Sequence, residues 1–99
     1  MNELTRHIDQ IRKLCKSNKV KSLFAFGSVL TQDFKSDSDI DLIVDIDVKD
    51  PLAYSDNYFN LKFQLEQLFQ RKIDLLEHNT LKNPYLIKQI DETKVLIYG

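Results

Sequence analysis

Residues Phe24 to Ile46 read FAFGSVLTQDFKSDSDIDLIVDI, two apolar stretches separated by a polar loop that opens on Gly27-Ser28. In the second stretch Ile40, Leu42, Val44 and Ile46 occupy alternate positions, the period of a strand, and Asp39, Asp41, Ile43, Asp45 and Asp47 fall on the opposite face. The first stretch, Ser22 to Phe26, is short, aromatic-rich and bounded by Gly27, as a buried strand would be. Carboxylates crowded where a strand enters a sheet repel one another and lose hydration, so folding alone gives no reason to put them there. The pattern therefore imposes a strand-loop-strand unit and, at its mouth, a cationic ligand between Asp39 and Asp41.

The rest of the chain supplies the elements such a unit needs. Leu4, Ile8, Ile11, Leu14 and Cys15 recur at helical spacing and predict one helix over Glu3 to Ser17. Asp50-Pro51 opens a second helix, striped by Tyr54, Tyr58, Leu61, Leu65 and Leu68 and widened by Phe59, Phe63 and Phe69, running to about Gln70. RKIDLLEH reads as a third strand with Ile73 and Leu75 on one face and Asp74 and Leu76 on the other. Asn83-Pro84 caps a short helix through Leu86, Ile87 and Ile90, and KVLIYG closes as an edge strand or extended tail. The expected fold is α/β (α+β), a single domain over 1–99, with a small mixed sheet and helices packed mainly on one face.

Composition narrows the function. With 14 basic and 15 acidic residues the net charge is −1, so no general field attracts a nucleic-acid backbone, and direct DNA or RNA binding is not expected. The apolar runs fall far short of the roughly 20 residues that cross a bilayer. The N-terminus MNELTRHIDQ lacks a signal-peptide core, and a lone cysteine, Cys15, excludes an intrachain disulfide or a cysteine metal cluster. The cytoplasm is the expected compartment.

Two aspartates at i and i+2 of a strand project side by side, and their oxygens suit magnesium, which keeps positions for water and substrate phosphate. Gly27 permits a tight turn, and Ser28 offers a hydroxyl and an amide to a phosphate oxygen. A helical turn over Val29 to Gln32 would add free N–H groups. The loop then supplies anion binding and the strand supplies metal.

The combination of Gly-Ser, ten residues, Asp-Ile-Asp, and about thirty residues later an aspartate in an apolar strand resembles the nucleotidyltransferase superfamily of the DNA polymerase β fold, specifically its minimal, MNT-type branch. The resemblance spans about Leu23 to Leu76. It implies two Mg2+ ions on Asp39, Asp41 and Asp74, with these three carboxylates catalytic, ATP as substrate, and Gly27 and Ser28 as phosphate-binding residues. Relatives often carry Ala-Arg-Gly soon after the serine, where this chain has Leu30, Thr31 and Gln32; Lys35 stands where a second basic residue would balance phosphate charge. The resemblance also implies a partner: MNT proteins resemble antitoxins that adenylylate a helical HEPN toxin, with tyrosine as the expected acceptor, in a hetero-oligomer. Two other functions fit the same residues, a binding-only antitoxin with a weakened site and a small-molecule nucleotidyltransferase of the aminoglycoside-modifying kind working as a homodimer.

Other conspicuous residues have plainer readings. Asp37 belongs to the turn, and Asp45 and Asp47 lie further along the strand in solvent. His7 and His78 are expected on the surface, without a third ligand for zinc. Cys15 falls on an apolar helix face as a small buried side chain. The aromatics between Pro51 and Gln70 belong mostly to the core, with some left for a partner surface.

Overall fold

The computed structural model describes residues 2–31 and 38–99. In chain order these form α1 (Asn2–Arg6), α2 (Ile8–Ser17), β1 (Val20–Phe26), a 3-10 turn (Gly27–Leu30), β2 (Ile40–Ile46), α3 (Pro51–Phe69), β3 (Ile73–Glu77), a second 3-10 turn (His78–Thr80), α4 (Pro84–Thr93) and β4 (Val95–Tyr98). The four strands make one mixed sheet in the order β3-β2-β1-β4. β1 runs antiparallel to β2 and β4, and β2 runs parallel to β3.

Local chemistry explains most boundaries. Asp50 caps α3, its carboxylate accepting from the Ala53 amide at 3.2 Å, with Pro51 in the first turn. Asn83 does the same for α4, its side-chain oxygen accepting from the Tyr85 and Leu86 amides at 3.0 and 3.4 Å ahead of Pro84. Asn18 ends α2 in a buried position, where its amide donates to the Leu14 carbonyl and to the Gln64 side chain, both at 2.8 Å, tying α2 to α3. The Ile73 amide donates to the Glu66 side chain at 3.2 Å, which fixes where β3 begins relative to α3.

The main core lies between α1–α3 and one face of the sheet. Leu4, Ile11 and Cys15 meet Leu61 and Leu65 from α3 and Leu23, Leu42, Val44 and Leu75 from the strands. Ile43 points to the other face, where it is covered with Ile90 of α4; both are about 2% exposed. This second layer also carries the Lys94 ammonium, 4.3 Å from the centre of the Phe24 ring. Most helical packing is thus on one face, with α4 alone on the face that bears Asp41.

Three expectations need correction. The predicted first helix is two helices: the backbone leaves helical geometry at His7 (φ −110°, ψ 15°), and α2 restarts with the Ile11 amide on the His7 carbonyl at 2.9 Å. Tertiary packing overrides the continuous spacing, because the break sets the His7 ring edge-on against Phe69 at 5.2 Å while Leu4 stays buried. His7 is accordingly half-buried, not a free surface residue. β1 also begins earlier than expected, at Val20, after Lys19 turns the chain in the left-handed region (φ 58°). At the other end of the chain, KVLIYG does pair, as edge strand β4.

Candidate active site

The sheet topology decides which strand ends meet. Because β2 and β3 are parallel, both begin at the same edge of the sheet, and because β1 is antiparallel to β2, β1 ends there. The register makes this specific: Asp41 lies opposite Phe26 on one side and opposite Asp74 on the other. Directly opposed residues share a face, so Phe26, Asp41 and Asp74 point the same way. Asp39 sits two residues before Asp41 and completes the mouth. Asp39 and Asp74 are exposed, and Asp41 is half-buried.

Gly27 closes the mouth from the β1 side. Its φ is +77°, a conformation that side chains rarely adopt, and a Cβ built there would stand 2.5 Å from Asp41 Oδ2. The backbone therefore lies against the Asp41 carboxylate with no room for another atom. The following residues turn as a 3-10 segment over Gly27–Leu30, which begins two residues before the expected turn and overlaps it at Val29 and Leu30, while Gln32 lies outside the described residues.

The electrostatics follow from the same convergence. The Asp41 carboxyl is pushed above its ordinary value, first by burial, then by the negative charges of Asp74 and Asp39. Among the described residues no three His, Cys, Asp or Glu side chains stand in a finished metal-binding arrangement. The three carboxylates share one mouth, and their oxygens would have to turn inward to share an ion. The donor set fits a hard divalent cation all the same, since it consists of oxygens only and a cation would relieve the repulsion from Asp74 and Asp39 that adds to burial in raising Asp41.

Lys35 and Asp37 lie outside the described residues. Asp45 is half-buried further along β2 and adds to the charges around Tyr54; Asp47 is exposed. The structure adds residues that the sequence did not single out. Arg71, in the α3–β3 connection, donates from Nη1 to the Ser38 carbonyl at 3.0 Å, and the Ile40 amide donates to the Lys72 carbonyl at 3.3 Å. Together these contacts pin the approach to Asp39 against the start of β3. Tyr58 donates its hydroxyl to the Leu75 carbonyl, beside Asp74. Its own ionisation is pushed up by burial, then by Glu77 and Asp74. A cavity of ≈ 680 Å³ opens next to Gly27, between the 3-10 turn and α4. Nothing local in the sequence marks Arg71 or this cavity, because both depend on contacts between distant segments.

With the fold and the mouth defined, comparison with known proteins gives the class. The family described as "Polymerase beta, Nucleotidyltransferase" matches residues 9–99, and the chain belongs to it. A Methanocaldococcus jannaschii protein provisionally named as a protein adenylyltransferase is 31% identical over 98 residues, which cover 98% of this chain and 97% of that one. A solved structure provisionally described as a minimal nucleotidyltransferase superposes with a TM-score of 0.76 at 26% identity, covering 93% of this chain and 90% of the other. The complex of a tri-AMPylated Shewanella oneidensis HEPN toxin with its MNT antitoxin has a TM-score of 0.62 at 23% identity, covering 96% of this chain and 71% of that one, and shares the fold. The protein is a nucleotidyltransferase of the polymerase β type, with the architecture of the minimal branch.

Proposed function

We propose that the protein transfers AMP from ATP to a tyrosine hydroxyl of a helical HEPN-type partner, as the antitoxin of a toxin–antitoxin pair, and that residues 1–99 form a single minimal nucleotidyltransferase domain. The carrying observation is the meeting of Asp39, Asp41 and Asp74 at one mouth with the Gly27 backbone against Asp41. Protein adenylyltransferase as the provisional name of a relative matched along nearly its whole length, and the AMPylated toxin bound to a protein of the same fold, support the substrate and partner.

In this reading Asp39 and Asp41 hold the metal–triphosphate, while the Gly27-Ser28 backbone offers amides to its oxygens. Magnesium, when bound, neutralises charge on the triphosphate and on departing pyrophosphate. Lys35 balances phosphate charge from the loop. Asp74, arriving from a neighbouring strand, orients the acceptor hydroxyl and accepts its proton as the oxygen–phosphorus bond forms at the α-phosphorus and the α–β bridge breaks. No helix among the described residues is long and apolar enough to cross a membrane; the reading places the reaction in the cytoplasm.

The test is the intact mass of the co-purified partner before and after incubation with ATP and magnesium. The expected result is a gain of one or more AMP groups that chelator abolishes. An unchanged mass in a stable complex would overturn transfer and leave binding as the antitoxin activity.

A further inference from the structure

Of the three carboxylates, Asp39 has the least strand beneath it. β2 begins at Ile40, so Asp39 stands one residue ahead of the sheet ladder, exposed to solvent. Strand ends of this kind fray, and a carboxylate that moves with one holds an ion poorly. Both peptide groups of Asp39 are nevertheless held, and by two adjacent residues. On its N-terminal side the Ser38 carbonyl accepts from Arg71 Nη1 at 3.0 Å; on its C-terminal side the Ile40 amide donates to the Lys72 carbonyl at 3.3 Å.

The clamp is itself anchored. Leu65 and Phe69 are buried in the last turns of α3, Gln70 turns the chain in the left-handed region at φ 54°, and its amide donates to the Glu66 carbonyl at 2.9 Å. The Glu66 side chain in turn accepts from the Ile73 amide at 3.2 Å, which ties the connection to α3 at both ends. Arg71 is half-buried within it, with Nε out of contact with solvent. Asp74 lies three residues further on, opposite Asp41. One connection thereby sets two carboxylates: it carries Asp74 directly and grips the backbone on both sides of Asp39. Arginine suits the task, because its planar guanidinium holds a direction that an ammonium on a flexible stem does not.

We infer that Arg71 is a positioning residue: by holding the Ser38 carbonyl it keeps Asp39 in place beside Asp41 and Asp74, and so sets the affinity of the mouth for a divalent cation. This rests on the metal-binding reading of the three carboxylates and adds the residue that makes Asp39 competent in it. The alternative is that the Arg71 charge acts directly, on the acidic mouth or on substrate phosphates. The two differ in sign for a bare cation. A guanidinium beside an acidic mouth repels a metal ion, so losing its charge alone would strengthen binding, whereas losing the clamp weakens it.

Manganese alone, followed by calorimetry or by its electron paramagnetic resonance signal, reads the cation without nucleotide or turnover. Arg71→Met removes the donors and the charge and keeps an apolar stem; it should bind Mn2+ about tenfold more weakly than wild type, within the usual range for losing a group that orients a ligand. Arg71→Lys keeps the charge but not the fork and should weaken Mn2+ about threefold, which carries the test if Arg71→Met does not fold. In metal-free Arg71→Met the Ile40 amide should exchange with solvent hydrogen about tenfold faster than in wild type, while amides in the middle of β2 keep their protection. Mn2+ affinity unchanged or raised in either variant would overturn the proposal. So would faster exchange across the whole sheet together with a lowered unfolding temperature, which a merely structural arginine would give. A wild type that binds neither Mn2+ nor magnesium ATP would remove the carboxylate-mouth reading itself, whereas a wild type that binds both, beside variants that bind as it does, removes the role of Arg71 alone.

Discussion

Replacing Gly27 by alanine isolates the contact that shapes the mouth. Two penalties follow from the geometry. Holding an alanine at φ +77° costs about 1–2 kcal/mol, because its Cβ crowds the following carbonyl. The new Cβ would also stand 2.5 Å from Asp41 Oδ2, so the carboxylate must rotate away at a further cost of about 0.5–1.5 kcal/mol. For a domain of this length the sum lowers the unfolding midpoint on the order of 10 °C. Binding should suffer more than stability, since the displaced atom belongs to a proposed ligand: affinity for magnesium ATP should fall about 10- to 100-fold. The two parts separate in an Asp41→Ala background, where the nearest remaining Asp41 atom, Cβ at 3.6 Å, is in ordinary contact. There Gly27→Ala should cost only the backbone part, giving a coupling of about 0.5–1.5 kcal/mol by thermal or urea unfolding. Equal cost in both backgrounds, or unchanged nucleotide affinity in Gly27→Ala, would refute the idea that this glycine makes room for the Asp41 carboxylate.

Two further outcomes are expected. The raised Asp41 pKa means that the folded protein binds this proton more tightly than the unfolded chain, so the group favours folding below its unfolded value and that contribution is lost as pH rises through the folded value. Asp41→Asn should therefore stabilise the metal-free protein at neutral pH, by about 0.5 kcal/mol or less given solvent screening, and lose that advantage in acid; a destabilised variant in a pH-dependent urea titration would contradict it. Burial pushes the Cys15 thiol up to about 12, so a thiol-alkylating reagent at neutral pH should leave the native protein unlabelled and modify it only in denaturant, as read by intact mass.

How much of this was legible in the sequence depends on the range of the interaction involved. The helix starts at Asp50-Pro51 and Asn83-Pro84 and the alternation of β2 follow from neighbouring residues, and the structure has them where expected. Asp41 and Asp74 were placed together by a family resemblance, and the parallel register of β2 and β3 supplies the physical reason they meet. The break at His7 was not legible, because its cause is a ring of α3 more than sixty residues away, Phe69. The same holds for Arg71 and for the cavity under α4, which no spacing rule predicts. Phe59 and Phe63, read as mostly core, stand 64% and 62% exposed, since α3 has only one face against the sheet and its aromatic residues surround more than that face.

The central claim is that the three carboxylates divide the work, with Asp39 and Asp41 holding the nucleotide and Asp74 serving the attacking hydroxyl. Nucleotide affinity and AMP transfer to the co-purified partner, measured on a single preparation of Asp74→Asn, test it most directly. The account predicts affinity within a few-fold of wild type and transfer reduced about 10²- to 10⁴-fold, the loss typical of removing a positioned proton acceptor. Transfer at the wild-type rate would make Asp74 a surface charge on an edge strand, and affinity lost together with transfer would show that the carboxylates act as one undivided site.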